Sequence, residues 1–180
     1  MSVQAGSGRA PVPTSVLIGG IAKSALLQAL REHEVRLNEA AKVLFEDRRF
    51  TPAAASQVID IVSRSVADLG FPEGATYGQL TARASASGWV ECPLELGPHL
   101  RLQFVDQAEG ADGSAVMHGR APPGSITVAS PPLDETDETP KGFYLRRVDG
   151  VLCLRGYRSW PGHVWSPDDV LVFCRGSPSA

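Results

Sequence analysis

The sequence predicts an α+β protein in which N-terminal helices pack on one face of a mainly antiparallel sheet or partly closed barrel. Three observations support this class: amphipathic segments at helical spacing come first, short apolar runs follow, and Gly, Pro and Asp separate those runs. With 180 residues, 43% of them hydrophobic, the chain is long enough to bury a core of its own.

The predicted domain organisation is a disordered tail over residues 1–15 followed by a single domain over residues 16–180. Residues 16–88 form its helix-rich part and residues 89–180 its strand-rich part. The N-terminus lacks the basic-then-apolar order of a secretion signal, and no stretch approaches the roughly twenty apolar residues that cross a bilayer. We therefore expect a cytoplasmic protein that does not contact membranes.

Helices are predicted in the first half of the chain. Apolar residues recur at helical spacing over residues 21–34 and again over residues 38–47. A third helix is expected to start at Thr76, because Thr76 and Gln79 fit a capping box, and to end before Gly88, a residue suited to the position after a helix.

Strands are predicted wherever short runs of alternating or β-branched apolar residues lie between turn-forming residues. These runs cover residues 57–66, 99–104, 125–130, 142–147, 151–156 and 170–175.

The pair Asp149-Gly150 predicts a two-residue type I′ turn, which fixes the register of the hairpin around it and sets Tyr144 opposite Arg155. Since directly paired residues share a face, one face of this hairpin is apolar and is expected to be core. That face carries Phe143, Leu145, Leu152 and Leu154. The other carries Tyr144, Arg146, Cys153 and Arg155, and Tyr157 continues it.

The polar face of this hairpin is the candidate ligand surface. The run over residues 99–104 alternates in the same way, so as a strand of the same sheet it would add His99 and Arg101 to that face. Guanidiniums bind phosphate or carboxylate in bidentate fashion, and phenol rings stack on a base or sugar. The predicted ligand-binding residues are Arg101, Tyr144, Arg146, Arg155, Tyr157 and His99.

A second interpretation stays open, because the solvent side of an ordinary antiparallel sheet also carries Arg, Tyr and Gln. The ligand interpretation gains support from the lack of any acid on this face within the predicted strands. The expected partner is an anionic small molecule, nucleic acid or an acidic protein segment, although the net charge of -3 argues against indiscriminate coating of nucleic acid. The acidic loop over residues 134–138 is a candidate internal competitor for the same face.

Two alternative functions remain. A small hydrolase or transferase would use His163 as general base with Asp168 and Glu95 as carboxylates. A structural or partner-inhibiting protein would use none of these groups. No cofactor or metal is predicted, because the three cysteines show no zinc-binding spacing, and we expect them to be reduced and buried.

Four blocks of the chain, "CPLELGPHLRLQF", "PPGSITVAS", "KGFYLRRVDGVLCLRGYRS" and "HVWSPDD", resemble those of a family of small bacterial proteins without an established activity. The resemblance covers the chain from about Gln28 onward and implies a bacterial origin but no mechanism. Some members carry a helicase label. The present sequence does not support that label, because "GGIAKS" lacks the glycine that a phosphate-binding loop requires directly before its lysine.

Overall fold

The computed structural model of the protein describes residues 11–110 and 121–176. Within these residues the chain forms four helices and ten strands. The helices are α1 Lys23–Glu32, α2 Glu39–Glu46, α3 Tyr77–Ala86 and α4 Leu96–Gln103. The strands are β1 Ser15–Ile18, β2 Arg36–Leu37, β3 Gln57–Ser65, β4 Ala75–Thr76, β5 Trp89–Val90, β6 Ile126–Val128, β7 Gly142–Val148, β8 Val151–Tyr157, β9 Val164–Trp165 and β10 Val170–Arg175.

The strands build one curled sheet, a half-barrel, and one small pair. The order in the sheet is β1-β3-β10-β6-β7-β8-β2, with β5 also paired to β10, while β4 and β9 pair with each other. Among the strands of the described residues, only β10 with β6 and β8 with β2 run parallel. The α+β class and the mainly antiparallel sheet are therefore confirmed.

Two apolar clusters form the core, one on each side of the sheet. The larger contains Leu26 of α1, Leu44 of α2 and Leu100 of α4, and the smaller contains Leu80 of α3 with Trp165 of β9. The predicted packing of the N-terminal helices on one face is not confirmed, because α2 lies on β7 and β8, α1 contacts α4, and α3 belongs to the other cluster.

The hairpin of β7 and β8 has the predicted turn and register. Asp149 and Gly150 have φ angles of 51° and 75°, as a type I′ turn requires, and Tyr144 lies opposite Arg155. On the apolar face, Phe143 and Leu145 are fully buried in the larger cluster. The register and the burial of the apolar face are thus as predicted, whereas Arg146 and Cys153 on the opposite face are buried as well.

The predicted strand over residues 99–104 is wrong, because this segment belongs to helix α4. Leu96, Leu100 and Phe104 recur every four residues and are all buried, so helical spacing decides the local structure over the alternation of Leu100, Leu102 and Phe104. Pro98 lies in the first turn of α4, where a backbone N–H would have no intrahelical acceptor, so proline is tolerated there.

The other predicted elements are present within a few residues of their expected ends. Thr76 and Gln79 form the capping box of α3, and Gly88 follows that helix with a φ of 79°. The unexpected strands are short: β1 begins at Ser15, within the predicted tail, and β2, β4, β5 and β9 have two residues each. Residues 1–10 of the predicted tail lie outside the described residues.

Candidate functional site

Three arginines from three strands share the polar face of the sheet. Cys153 of β8 lies opposite Arg146 of β7 and, on its other side, opposite Arg36 of β2. Because directly paired residues point the same way, the side chains of Arg36, Cys153 and Arg146 form one row across the three strands. Arg155 projects from the same face, two residues beyond Cys153 along β8. We refer to Arg36, Arg146 and Arg155, grouped around Cys153, as the arginine face.

The guanidiniums of the arginine face have no hydrogen-bond or ion-pair partner within residues 11–110 and 121–176. Arg36 is exposed and Arg155 is partly buried. Arg146 is only 7% exposed, and its Nε and Nη2 atoms are buried without a partner. Desolvation of an arginine without a compensating bond is unfavourable, so this face holds positive charge that the described chain does not neutralise.

Beside the arginine face lies a cavity of about 210 Å³, which we call the ring cavity. Aromatic side chains form much of its wall. Trp165 meets the ring of Tyr157 edge-on at a centroid distance of 5.6 Å and the ring of His163 at 5.4 Å. The lining residues relevant here are Thr127, Tyr144, Tyr157, Arg158, His163 and Trp165.

Strand register connects the ring cavity to the arginine face. Tyr144 lines the cavity and lies between Thr127 of β6 and Arg155 of β8, with which it is directly paired. Of the six predicted ligand-binding residues, four therefore lie on the same face of the sheet: Arg146, which is buried, and Tyr144, Arg155 and Tyr157, which are partly buried.

Burial favours the uncharged form of two rings in the cavity wall, those of His163 and Tyr157. Burial lowers the pKa of His163, which favours the neutral imidazole. Burial also raises the pKa of Tyr157, with a smaller contribution from the negative charge of Glu91, so that its phenol stays protonated. Arg158 at the exposed margin contributes the only full charge among the six lining residues named above.

Arg101 and His99 do not belong to this surface, because both lie on α4 instead of a strand. Arg101 is fully buried, donates from Nη1 to Oε1 of Gln107 at 2.5 Å, and also donates to the carbonyl of Phe104. Burial lowers its pKa to about 10. Arg101 thus holds the end of α4 in place and is not accessible to a ligand.

The three residues of the hydrolase interpretation are not brought together. Glu95 accepts the backbone N–H of Ala53 at 2.9 Å, and its other oxygen lies 3.5 Å from Nε2 of His99. His163 lies instead against Trp160 and Trp165, and Asp168 is exposed in the turn before β10. Within the described parts of the chain, no group of three or more His, Cys, Asp or Glu side chains is arranged to hold a metal ion.

The acidic loop reaches the ends of the basic hairpin through its backbone. Lys141 donates to the carbonyls of Asp134 and Thr136, and Arg158 donates to the carbonyl of Glu138 at 2.8 Å. The carboxylate of Asp134 is engaged by Arg49 at 2.9 Å, and hydrogen bonds from the hydroxyls of Thr136 and Thr139 hold its pKa below the usual range. This carboxylate is therefore not directed at the arginine face.

Sequence reasoning missed Arg36 and Thr127 as members of this surface. Arg36 lies between buried Val35 and partly buried Leu37, an alternation that signals a strand, but only two residues pair with β8. Thr127 was part of a predicted strand whose pairing with β7 the sequence did not specify. Both positions follow from strand order, which a single sequence does not encode locally.

No family model matches the chain, and no match was found among curated proteins or solved structures. Among the residues that the structure describes, no helix is both long enough and apolar enough to cross a membrane.

Proposed function

We propose that the protein is a binding domain whose arginine face takes a small anionic ligand. The observation that carries the proposal is the set of three guanidiniums on neighbouring strands, none of them paired within the described residues. A phosphate or carboxylate would supply the missing negative charge and accept charge-assisted hydrogen bonds from more than one guanidinium.

Arg146 distinguishes the arginine face from the solvated side of an ordinary antiparallel sheet. A surface arginine keeps its hydration, whereas Arg146 has two nitrogens that neither solvent nor the described chain satisfies. Pairing of these two nitrogens with an anion would break no hydrogen bond to the described residues. The energy gained by pairing is consequently not offset by the loss of an existing contact.

The size of the surface favours a small molecule over nucleic acid or an acidic protein segment. The adjoining ring cavity, about 210 Å³, falls below the roughly 300–1,000 Å³ typical of pockets for drug-sized ligands. A net charge of -3 also works against long-range attraction of a polyanion.

Isothermal titration calorimetry with inorganic pyrophosphate at low ionic strength tests the proposal. Arg155→Ala should weaken binding by roughly tenfold or more, because a hydrogen bond to a charged group contributes about 1.5–3 kcal/mol. Arg48→Ala is the matched control, since Arg48 is an exposed arginine on another part of the surface.

His163→Ala separates binding from catalysis, because the anion contacts guanidiniums and the affinity for pyrophosphate should stay unchanged. Absence of pyrophosphate binding to the wild-type protein, or equal affinities of the Arg155→Ala and Arg48→Ala variants, would refute the proposed function.

A further inference from the structure

We infer that the ligand is a nucleotide, with its base in the ring cavity and its phosphate on the arginine face. This inference rests on the proposed function and adds the chemical class of the ligand. It depends on the walls of the cavity, on its size, and on its position relative to the arginines.

The cavity walls suit a planar heteroaromatic ring. Tyr144 and Tyr157 come from the hairpin, while His163 and Trp165 come from the segment that follows it. Aromatic side chains stack on nucleobases of any sequence because every base presents a π face. The hydroxyl of Thr127 supplies a hydrogen-bonding group that an aliphatic ligand would leave without a partner.

The cavity is large enough for a ring but too small for a whole cofactor. At about 210 Å³ it lies under the usual range for complete ligand pockets, so the remainder of the ligand must extend outside it. The adjoining part of the sheet is the arginine face, where a negatively charged group is favoured.

The spacing between the two parts matches a ring and a phosphate joined by a sugar. Tyr144 lines the cavity and is directly opposite Arg155, a relation that places their Cβ atoms roughly 5 Å apart. Arg146 is two residues from Tyr144 on the same face of β7, which corresponds to about 7 Å along the strand. A base on Tyr144 thus leaves its phosphate within reach of both arginines.

The uncharged rings of His163 and Tyr157 agree with an uncharged base in the cavity. His163 has its pKa lowered by burial and Tyr157 has its pKa raised by burial, so neither ring presents a full charge near neutral pH. Fixed positive charge lies on Arg158 at the exposed margin of the cavity and on the arginine face beside it. A ligand that is neutral at one end and anionic at the other therefore fits the surface better than one charged throughout.

Calorimetry with adenosine monophosphate, cytidine monophosphate, ribose phosphate and adenosine tests the inference. At least one of the two nucleotides should bind with an affinity at least roughly tenfold higher than that of ribose phosphate, because the base adds stacking contacts. Adenosine, which lacks the phosphate, should bind more weakly than adenosine monophosphate.

Two variants assign these contributions to the two parts of the surface. Tyr144→Leu should remove the advantage of the nucleotides over ribose phosphate while leaving the affinity for ribose phosphate unchanged. Arg155→Ala should weaken both classes. Circular dichroism and thermal melting establish that each variant is folded, and Tyr144→Phe, which keeps the ring, should retain the advantage.

The outcomes distinguish this inference from the proposed function. If ribose phosphate binds through Arg155 and neither nucleotide binds more tightly, the nucleotide assignment is wrong and the anion-binding function stands. If adenosine binds as tightly as adenosine monophosphate, the phosphate contributes nothing to binding and the nucleotide assignment is wrong. If neither pyrophosphate nor any other phosphate compound binds, the proposed function fails and the nucleotide assignment fails with it.

Discussion

At the scale of single residues, His99 links the turn after β1 to the start of α4. Its Nε2 accepts the backbone N–H of Gly19 at 3.2 Å, and Oε2 of Glu95 lies 3.5 Å from the same nitrogen. A nitrogen that accepts a hydrogen bond carries no proton, so this contact requires the tautomer protonated at Nδ1. Protonation of Nε2 would place two N–H groups against each other.

Stability should therefore fall as the pH decreases through the ordinary range of histidine. Burial lowers the pKa of His99 in the folded protein, although the charge of Glu95 opposes this shift. The unfolded chain then takes up a proton at a higher pH than the folded chain, and stability present above about pH 6.5 is lost below it. Partly buried His163, whose pKa is also lowered by burial, contributes in the same direction.

His99→Gln tests this linkage, because an amide oxygen can accept the N–H of Gly19 and does not titrate. Urea unfolding at about pH 7.5 and about pH 5.5 should show a smaller loss of stability for His99→Gln than for the wild type. His33→Gln, at an exposed histidine, should retain the wild-type pH dependence. An undiminished pH dependence in His99→Gln would show that His99 is not a source of the loss.

At the scale of elements, the position of α4 depends on its close approach to β7. A Cβ placed on Gly97 would lie 2.7 Å from Cβ of Phe143, closer than two side chains can pack. Phe143 in turn lies in the larger cluster, against the rings of Phe45 and Phe50. Glycine at position 97 thus lets α4 and α2 cover the same strand.

Gly97→Ala should consequently destabilise the protein by about 1–3 kcal/mol, the usual result of overpacking a core. Gly78 of α3 is the matched control, because a Cβ there would meet nothing within 4 Å. Gly78→Ala should stabilise the protein by up to about 1 kcal/mol through helix propensity. Opposite signs of the two changes in urea unfolding are the expected result, and equal changes would contradict the close approach of α4 to β7.

Elements that form through contacts between residues close in sequence could be predicted, whereas elements that depend on contacts distant in sequence could not. The capping box of Thr76 and the Asp149-Gly150 turn rest on neighbouring residues, so the sequence indicates both. Helix α4 is different, because Leu100, Leu102 and Phe104 alternate while Leu96, Leu100 and Phe104 also lie at helical spacing. As a helix, α4 packs against β1, β7 and β8, which are distant from it in sequence.

At the scale of the whole molecule, the same reasoning explains which part of the candidate site was predictable. Tyr144, Arg146 and Arg155 follow from the register of one hairpin, which a local turn determines. Arg36 joins them only because β2 pairs in parallel with β8, and Trp165 reaches the cavity only because β9 pairs with β4. Strand order across the sheet is a property of the complete fold.

The complete fold also has to protect the free edge of its sheet, and α4 does so at β1. Gln103 accepts the backbone N–H of Leu17 at 3.0 Å and donates to the carbonyl of Leu17 at 2.8 Å, as a neighbouring strand would. The residues beside this contact are apolar and exposed, since Leu17 is 51% and Val58 67% accessible. An unprotected apolar edge strand is a template for pairing with another chain.

Gln103→Ala should therefore increase self-association of the protein. The substitution frees both backbone groups of Leu17 next to an exposed apolar pair. It should also lower the free energy of unfolding by about 1–2 kcal/mol, because the two hydrogen bonds to Leu17 and a third to the carbonyl of His99 are lost. Sedimentation velocity over a range of concentrations should show a larger average mass for Gln103→Ala than for the wild type. Gln28→Ala is the control, because the exposed side chain of Gln28 donates to Glu32 one turn further along α1 and has no other hydrogen bond to the described part of the chain. Equal masses for the two variants would mean that the side chain of Gln103 does not protect the β1 edge.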